Sequence, residues 1–553
     1  MGGALDQGGA EVISMLRAGL VAFVPLVFLL LVLVAPALRL LQEAWLGSDH
    51  AVSALWAPWQ DAYLRGRMAW SFLQASITCA AVLALGLPIA WVLARYEFAG
   101  RALVLRALML PFVVPTLVAA MGVLALLGPQ GLLVRLGGPD LQGTPWLLLY
   151  GNLFFNLCVL VRAGTDALGQ VSASRLAAAR TLGATPWRAF WRVEWPSIAP
   201  WLMSALCLVF LYCFAGFGLA LVLGGQAYAT AEVEIYTLVA HELQLAQAGV
   251  LSLWMMALTL LVALAYAAIE TRLATPTRAD RLARRTPQGV YQWLALVLAL
   301  LVLAVVCAAP LLAIGWKAFS AAMPALDAPI GHSLDPADGD GSSATWRVLL
   351  EEDTLLALWN TVRFTVSAVL LATLLGLTHA FAARRSLWLR TLVFLPFVVS
   401  PVMVAFGLLL LYPAWTDNVG LLIAAYALLA YPFVAKSLAS ALDGMPAHFL
   451  DAARSLGASP WRAFWRVTLP LLRPALRRGM AFAAATAVGE FAVTLFLSRP
   501  EWATLTTLIY QRLGRPGAAN LDAAMLLACV LMLMALAAFA VIERREPQEE
   551  FDA

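Results

Sequence analysis

Charge is what this sequence has least of. Asp, Glu, Lys and Arg make up only 12% of 553 residues, about half the share of a typical soluble domain, and a water-soluble globule is thereby excluded. Lysine occurs only at Lys317 and Lys436, and neither completes the G-x-x-x-x-G-K-[ST] pattern that cradles a nucleotide phosphate. Any ATP chemistry must therefore belong to another subunit. Six cysteines (Cys79, Cys158, Cys207, Cys213, Cys307, Cys529) form no C-x-x-C pair, and the five histidines lie far apart. Neither a disulfide framework nor a metal site is legible. The net charge of +4 is too small to indicate nucleic acid as a partner. No nucleophile constellation or strand-to-helix cofactor loop stands out, which weakens any reading as a membrane-bound enzyme.

What is abundant is apolar sequence, 62% of the chain, gathered in long runs. From Ala18 to Leu38 no residue is charged, about the length an α-helix needs to cross roughly 30 Å of hydrocarbon. A cleaved signal peptide has a shorter apolar core and a small-residue cleavage site, so this segment reads as a retained transmembrane helix. The same window predicts spans at 18–40, 69–94, 103–127, 146–169, 197–223, 248–270, 290–314, 355–383, 391–413, 419–441, 477–498 and 522–542. The expected fold is an all-α polytopic membrane protein of about twelve helices.

Arginine sets the orientation. Arg95/Arg101/Arg106, Arg175 to Arg192, Arg272 to Arg285, Arg384/Arg385/Arg390 and Arg454 to Arg478 all fall on one side if there are twelve spans. By the positive-inside rule that side is cytoplasmic, and so are both termini. The opposite loops are poor in basic residues: 224–247 carries Glu232, Glu234 and Glu242, and 318–353 is dominated by Asp and Glu. Arg499, Arg512 and Arg515 break the pattern on the outer side: either pairing with Glu501 and Asp522 offsets them, the favoured reading, or the last hairpin runs differently.

The sequence also repeats itself. LAAARTLGATPWRAFWRVEWPSIAP (176–200) and LDAARSLGASPWRAFWRVTLPLLRP (450–474) agree at about 17 of 25 positions, 274 residues apart. Each copy follows the fourth span of its half, so the chain reads as two six-helix units of the same topology: 1–270, a linker at 271–289, and 290–553. Within the block, a helix is expected to stop at Gly183 (Gly457), where left-handed φ is tolerated. Another starts at Thr185-Pro186 (Ser459-Pro460), with the hydroxyl as N-cap and proline at the first helical position. Trp187, Phe190 and Trp191 share one face by i, i+3, i+4 spacing, Arg188 and Arg192 line another, and Pro196 is expected to end this short helix before the fifth span.

These residues resemble the EAA loop of type I ABC importer permeases, the binding-protein-dependent transport inner membrane components. The likeness lies in Asp451-Ala452-Ala453, then Gly457, then Val467-Thr468-Leu469-Pro470, and in the earlier copy at Ala178, Ala179, Gly183 and Pro196. It implies that each block, with Trp187 in one and Trp461 in the other, couples to an ATP-hydrolysing partner, two docking loops suggesting a homodimer. It further implies a periplasmic or lipid-anchored solute-binding protein and a place in the bacterial inner membrane. The first copy departs from the motif with Ala177 at the acidic position and Trp195 in place of leucine. The two-half layout and the stretches MGVLALLGPQGLL (121–133), YGNLFFNL (150–157) and LGGQAYATAEVEIY (223–236) are similar to fused permeases of the ferric-iron and thiamine systems, without choosing between the two cargoes.

Candidate path residues follow from the cost of polar groups in hydrocarbon. Glu490, in GEFAV, is the clearest, and its repeat mate is Gly216. The first reads either as a polar point on a cation's path or as a carboxylate paired to a neighbouring helix. Asn152 and Asn156, four apart, read either as path residues or as interhelical hydrogen-bonding groups, and Arg162 and Asp166 as a local pair. An ion-coupled secondary transporter of two six-helix repeats is the alternative, although it needs intramembrane carboxylates rather than duplicated docking loops.

Overall fold

The computed structural model describes residues 22–46, 52–272, 284–322, 345–384, 386–397, 399–446, 448–497 and 499–542. Both chain termini lie outside these residues, as do 273–283 of the expected linker and 323–344 of the acidic loop. Among the described residues the chain is helical, with a single isolated backbone bridge between Tyr96 and Arg285.

The first half runs through α1 (Ala22–Leu46), α2 (Ala62–Arg95), α3 (Thr116–Leu127), α4 (Pro145–Gly169), a short α5 (Ala173–Thr181) and the long α6 (Pro186–Phe214). It continues with α7 (Gly218–Leu223), α8 (Ala231–Ala240) and α9 (Leu245–Arg272). The second half repeats that order: α10 (Val290–Ala321), α11 (Glu352–Ala383), α12 (Pro401–Leu411), α13 (Val419–Asp443), α14 (His448–Ser455), α15 (460–488), α16 (Ala492–Leu497), α17 (Leu505–Leu513) and α18 (Ala518–Ile542).

Ten helices among the described residues are long and apolar enough to cross a membrane, with lengths of 20 to 34 residues. Of the twelve expected crossings, 391–413 and 477–498 are not among the ten, and 103–127 is represented only by its later part, Thr116–Arg135. The predicted span 391–413 is broken at Pro396 and Pro401, leaving the 11-residue α12 as its apolar part. Its counterpart 103–127 is cut by Pro111 and Pro115, so that α3 begins only at Thr116. Proline lacks the amide a helix interior needs, which explains both breaks. The predicted span 477–498 is split as well: α15 ends at Val488, Gly489 to Phe491 are non-helical, and α16 restarts at Ala492.

The compact units do not follow the sequence halves. One contains 1–42, 352–507 and 531–553, and the other 43–351 and 508–530. The first helix of each half is therefore grouped with the body of the other half. In the first unit Gly407 on α12 lies so close to Pro36 on α1 that a Cβ would meet the Pro36 Cβ and carbonyl oxygen at 2.9 Å, and the Tyr412 hydroxyl donates to Leu31 O at 3.1 Å. In the second unit a Cβ on Gly122 of α3 would meet Pro310 O on α10 at 2.8 Å, and the Tyr150 hydroxyl donates to Val305 O at 2.7 Å.

Two expectations about charged residues need correction. Glu232 and Glu234, read as loop charges, are buried in the first turn of α8. Tyr63 OH donates to Glu234 at 2.9 Å, and Arg67 lies 3.5 Å from the same carboxylate. Burial pushes the Glu234 carboxyl above its usual range, opposed by the Tyr63 hydrogen bond and the Arg67 charge. Two of the outer-side arginines pair over long sequence distances, Arg499 with Asp417 and Arg512 with Glu351. Arg162 and Asp166 pair as expected, at 3.0 Å.

Candidate functional site

Each repeated block folds as its residues direct. In the first, α5 stops at Gly183 with φ +79°, where Gly183 N donates to Arg180 O and Ala184 N to Ala179 O, both at 3.0 Å. Thr185 then accepts the Arg188 amide through its side chain, with Pro186 at the first helical position. The second block copies this: φ is +77° at Gly457, Ala458 N donates to Ala453 O at 3.0 Å, and the Ser459 hydroxyl accepts from Arg462 N. A hydroxyl cap satisfies an amide that the helix start leaves open, and glycine supplies the left-handed turn without strain.

The turn raises apolar side chains into the open. Leu182 and Leu456 are each 87% exposed, and Trp187 and Trp461 each 69%. The ring pairs Trp187–Trp191 and Trp461–Trp465 have the same geometry, 5.5 Å between centroids at 74°. Ala178, Ala452 and Asp451 are exposed, Ala179 is half-buried and Ala453 is buried. Among the described residues Asp451 forms a surface pair with Arg454 at 3.4 Å. Contrary to expectation, Pro196 does not end the helix. The chain passes through a π-turn at Phe190–Glu194 and continues to Phe214, and the second copy does the same at Phe464–Thr468, ahead of Leu469 and Pro470.

Of the candidate path residues, Glu490 and Gly216 occupy breaks in the helices, whereas Asn152 and Asn156 lie within α4. Glu490 stands between α15 and α16, buried, with Oε1 accepting Val493 N at 3.0 Å. Its carbonyl collects hydroxyls from Tyr426 at 3.3 Å, Thr494 at 3.4 Å and Thr506 at 3.1 Å. Gly216 stands at the equivalent break between α6 and α7, where a Cβ would meet Tyr212 O at 2.7 Å. Asn152 and Asn156 are buried in a network joining three helices. Asn152 donates to Gln74 Oε1 at 2.7 Å, Gln74 donates to Cys213 O at 2.8 Å, and Asn156 donates to Asn152 O at 2.8 Å. Asn152, Asn156 and Gly216 belong to one compact unit and Glu490 to the other.

A model of the family described as "Binding-protein-dependent transport system inner membrane component" matches residues 86–275 and again 368–544. The chain belongs to this family. The thiamine transport system permease protein ThiP of Escherichia coli (strain K12) is 28% identical over 518 residues, 88% of this chain and 90% of its own length. The protein of the same name from Salmonella typhimurium is 27% identical over 530 residues, covering 90% and 92%. The sulfate transport system permease protein CysW of Synechocystis is 31% identical over 206 residues, 36% of this chain and 73% of its own. The likeness to the thiamine permeases thus runs through both halves of this inner membrane component.

A second pair of repeat-related contacts in this permease escaped sequence reading. Ser71 accepts Ala231 N at 2.8 Å, and Thr361 accepts Leu505 N at 3.0 Å, fastening the starts of α8 and α17 to the second long helix of each half. Trp70 donates to Tyr228 O at 2.9 Å where Asn360 donates to Glu501 O and Ala503 O, both at 2.9 Å. The signal was present: Leu223, Ala229, Thr230, Ile235 and Tyr236 recur as Leu497, Ala503, Thr504, Ile509 and Tyr510 at the same offset of 274.

Proposed function

We propose that this chain is the whole membrane part of an ATP-driven importer that carries thiamine into the cytoplasm by alternating access. The observation that carries the reading is the pairing of two matched exposed blocks with a likeness to thiamine permeases over 88% of the chain. Ala178 to Pro196 and Asp451 to Pro470 dock on a cytoplasmic ATPase, with Leu182/Trp187 and Leu456/Trp461 as the apolar anchors that a partner surface covers. Two nearly identical blocks suit two copies of one ATPase. Hydrolysis belongs to that partner, so the chain is a permease rather than an enzyme and binds no cofactor of its own.

The arginine-rich loops and both termini face the cytoplasm. A solute-binding protein docks on the opposite segments, including 224–247 and 499–520, where 225–227 and 514–519 are exposed. The two helix breaks, at Glu490 and Gly216, contribute to the path, the carboxylate suiting a cationic solute such as thiamine. Thiamine is preferred over ferric iron because the full-length relatives are thiamine permeases. The test is uptake of labelled thiamine and labelled ferric iron into vesicles holding this chain, its ATPase and its binding protein. ATP-dependent accumulation of thiamine is expected. Uptake that ignores ATP and collapses with a protonophore would instead establish an ion-coupled secondary transporter.

A further inference from the structure

The turn between α8 and α9 carries a leucine where glycine is expected. Leu243 has φ +56°, the one positive φ outside glycine among the described residues. The turn closes α8 in the usual left-handed way: His241 N donates to Thr237 O at 2.9 Å, and Gln244 N reaches back to Leu238 O at 2.8 Å. Glycine commonly fills the residue just before that returning amide. The second half does use it, since Leu243 corresponds to Gly517 at the offset of 274, with φ +110° between α17 and α18. A bulky side chain at positive φ strains the backbone, and such strain gathers where a residue serves something besides the fold.

Neither packing nor lipid accounts for this leucine. It is 77% exposed, so it fills no core. Its neighbours His241, Glu242 and Gln244 are exposed as well, and no residue of α9 is exposed before Ala257, about 18 Å along that helix. Protein rather than acyl chain therefore surrounds the start of α9, and Leu243 projects from a polar rim. The rim is ordered. His241 packs edge-on against Tyr236 at 5.5 Å and 87°. Glu242 and Asp61, both exposed, add negative potential at Glu234. Arg67, paired with Glu234, holds the exposed tip 225–227 through Gln226 O at 2.8 Å and Ala227 O at 3.0 Å.

We propose, resting on the importer reading above, that Leu243 is the anchor by which the solute-binding protein grips the first half. The fixed turn holds the leucine out before contact, so little side-chain and loop freedom is lost on docking. The partner's chemistry follows from the rim. Residues 225–247 include no Lys or Arg, so one lobe of the binding protein offers an apolar socket edged by basic residues that face Glu242. The corresponding turn of the second half is the reverse, with exposed Arg515 beside Pro516 and Gly517 and no apolar knob. It suits an acidic, flatter lobe. Two turns of unlike charge and shape thus admit a two-lobed partner in one orientation and disfavour the reversed one.

The test is surface plasmon resonance between the thiamine-loaded binding protein of the same system and the full permease–ATPase complex in nanodiscs, alongside ATP-dependent thiamine uptake. Leu243→Gly, which takes the residue of the corresponding turn and relieves the backbone, should melt no lower than wild type. Its affinity for the binding protein should nevertheless fall about tenfold, and the half-saturating concentration of binding protein for uptake should rise by the same factor. Leu243→Met should keep most of the affinity. Glu242→Arg should slow association several-fold at low salt and less at high salt. Wild-type affinity in Leu243→Gly would overturn the anchor and leave the importer reading standing, and a lower melting temperature with that affinity would assign the leucine to the fold. A wild-type complex that binds no binding protein and takes up thiamine without ATP would remove both.

Discussion

The amide of Trp195 donates to the carbonyl of Phe190, five residues back rather than four, and the next residue, Pro196, has no amide to give. The same device appears at Leu469 to Phe464 before Pro470, at Ala35 to Leu30 before Pro36, and at Ala309 to Ala304 before Pro310. A proline inside an α-helix removes one bond and presses its ring on the carbonyl four residues back. A π-turn widens the helix by one residue at that place, and the helix runs on. In the two blocks this joins the exposed docking turn to a membrane helix without a flexible hinge. On the proposed docking role, force applied at Trp187 or Trp461 would be delivered along one continuous helix.

Pro470→Ala restores the missing amide and removes the reason for the π-turn, since proline in a regular α-helix costs about 3 kcal/mol, so the turn is expected to relax to α-helix. Relaxation removes one residue from the register and rotates Trp461 by about 100° relative to α15. The protein should be as stable as wild type or more so, whereas thiamine taken up per ATP hydrolysed should fall about tenfold. Unchanged stoichiometry of uptake to hydrolysis would show that the register does not matter.

Gly457 tests the turn itself. Nothing lies within 4 Å of where its Cβ would be, so only the φ of +77° resists a side chain. Left-handed backbone costs other residues about 1–2 kcal/mol, and asparagine less. Gly457→Asn should keep most ATP-dependent uptake, whereas Gly457→Val should lose most of it while still inserting. Gly457→Asp, which adds a charge to the exposed docking turn, should uncouple hydrolysis from uptake. Equal uptake in all three variants would remove the turn from the coupling mechanism.

Close packing of the first helices carries a separate expectation for stability. Gly122→Ala and Gly407→Ala place a methyl group 2.8–2.9 Å from Pro310 and Pro36, and overpacking of this kind costs about 1–3 kcal/mol. Each should lower the melting temperature in detergent by several degrees. Gly66→Ala, on α2 with open space around the new methyl, should raise it slightly through helix propensity.

Much of this was legible because periodicity, arginine placement and repetition are local signals. Gly183, Thr185, Gly457 and Ser459 do what their residue types demand, and the offset of 274 recurs in the π-turns of α1 and α10, where the block sequence is absent. The errors came from tertiary context. Hydropathy counts Pro396, Pro401 and Gly489 to Phe491 as apolar length, although proline and a buried carboxylate break the helix there. Pro196 reads as a stop because sequence does not show the extra residue of a π-turn. Glu232 and Glu234 looked like loop charges because burial beneath α2 depends on Ser71 and Tyr63, some 160 residues away.

Glu490 poses a choice between capping and transport that substitution resolves. Its carboxylate caps a six-residue helix through Val493 N. Glutamine accepts the same bond, whereas alanine loses a cap worth about 1 kcal/mol. Glu490→Gln should therefore fold like wild type, and its thiamine uptake should fall about tenfold if the charge faces the cation's path. Full uptake in Glu490→Gln, with loss only in Glu490→Ala, would assign the residue to the cap alone.

Asn152 distinguishes a helix joint from a solute contact in a second way. Its Nδ2 is bonded to Gln74 Oε1 at 2.7 Å, and both side chains are buried. Removing one partner leaves the other unsatisfied, at a cost of about 1–3 kcal/mol, whereas removing both by apolar groups of similar shape is nearly neutral. Asn152→Leu and Gln74→Leu should each lower the melting temperature, and the double variant should recover part of the loss, giving a coupling of about 0.5–3 kcal/mol. A residue that contacts solute instead shows a raised KM for uptake with stability intact. Additive losses in the cycle together with a raised KM would move Asn152 from the helix joint to the path.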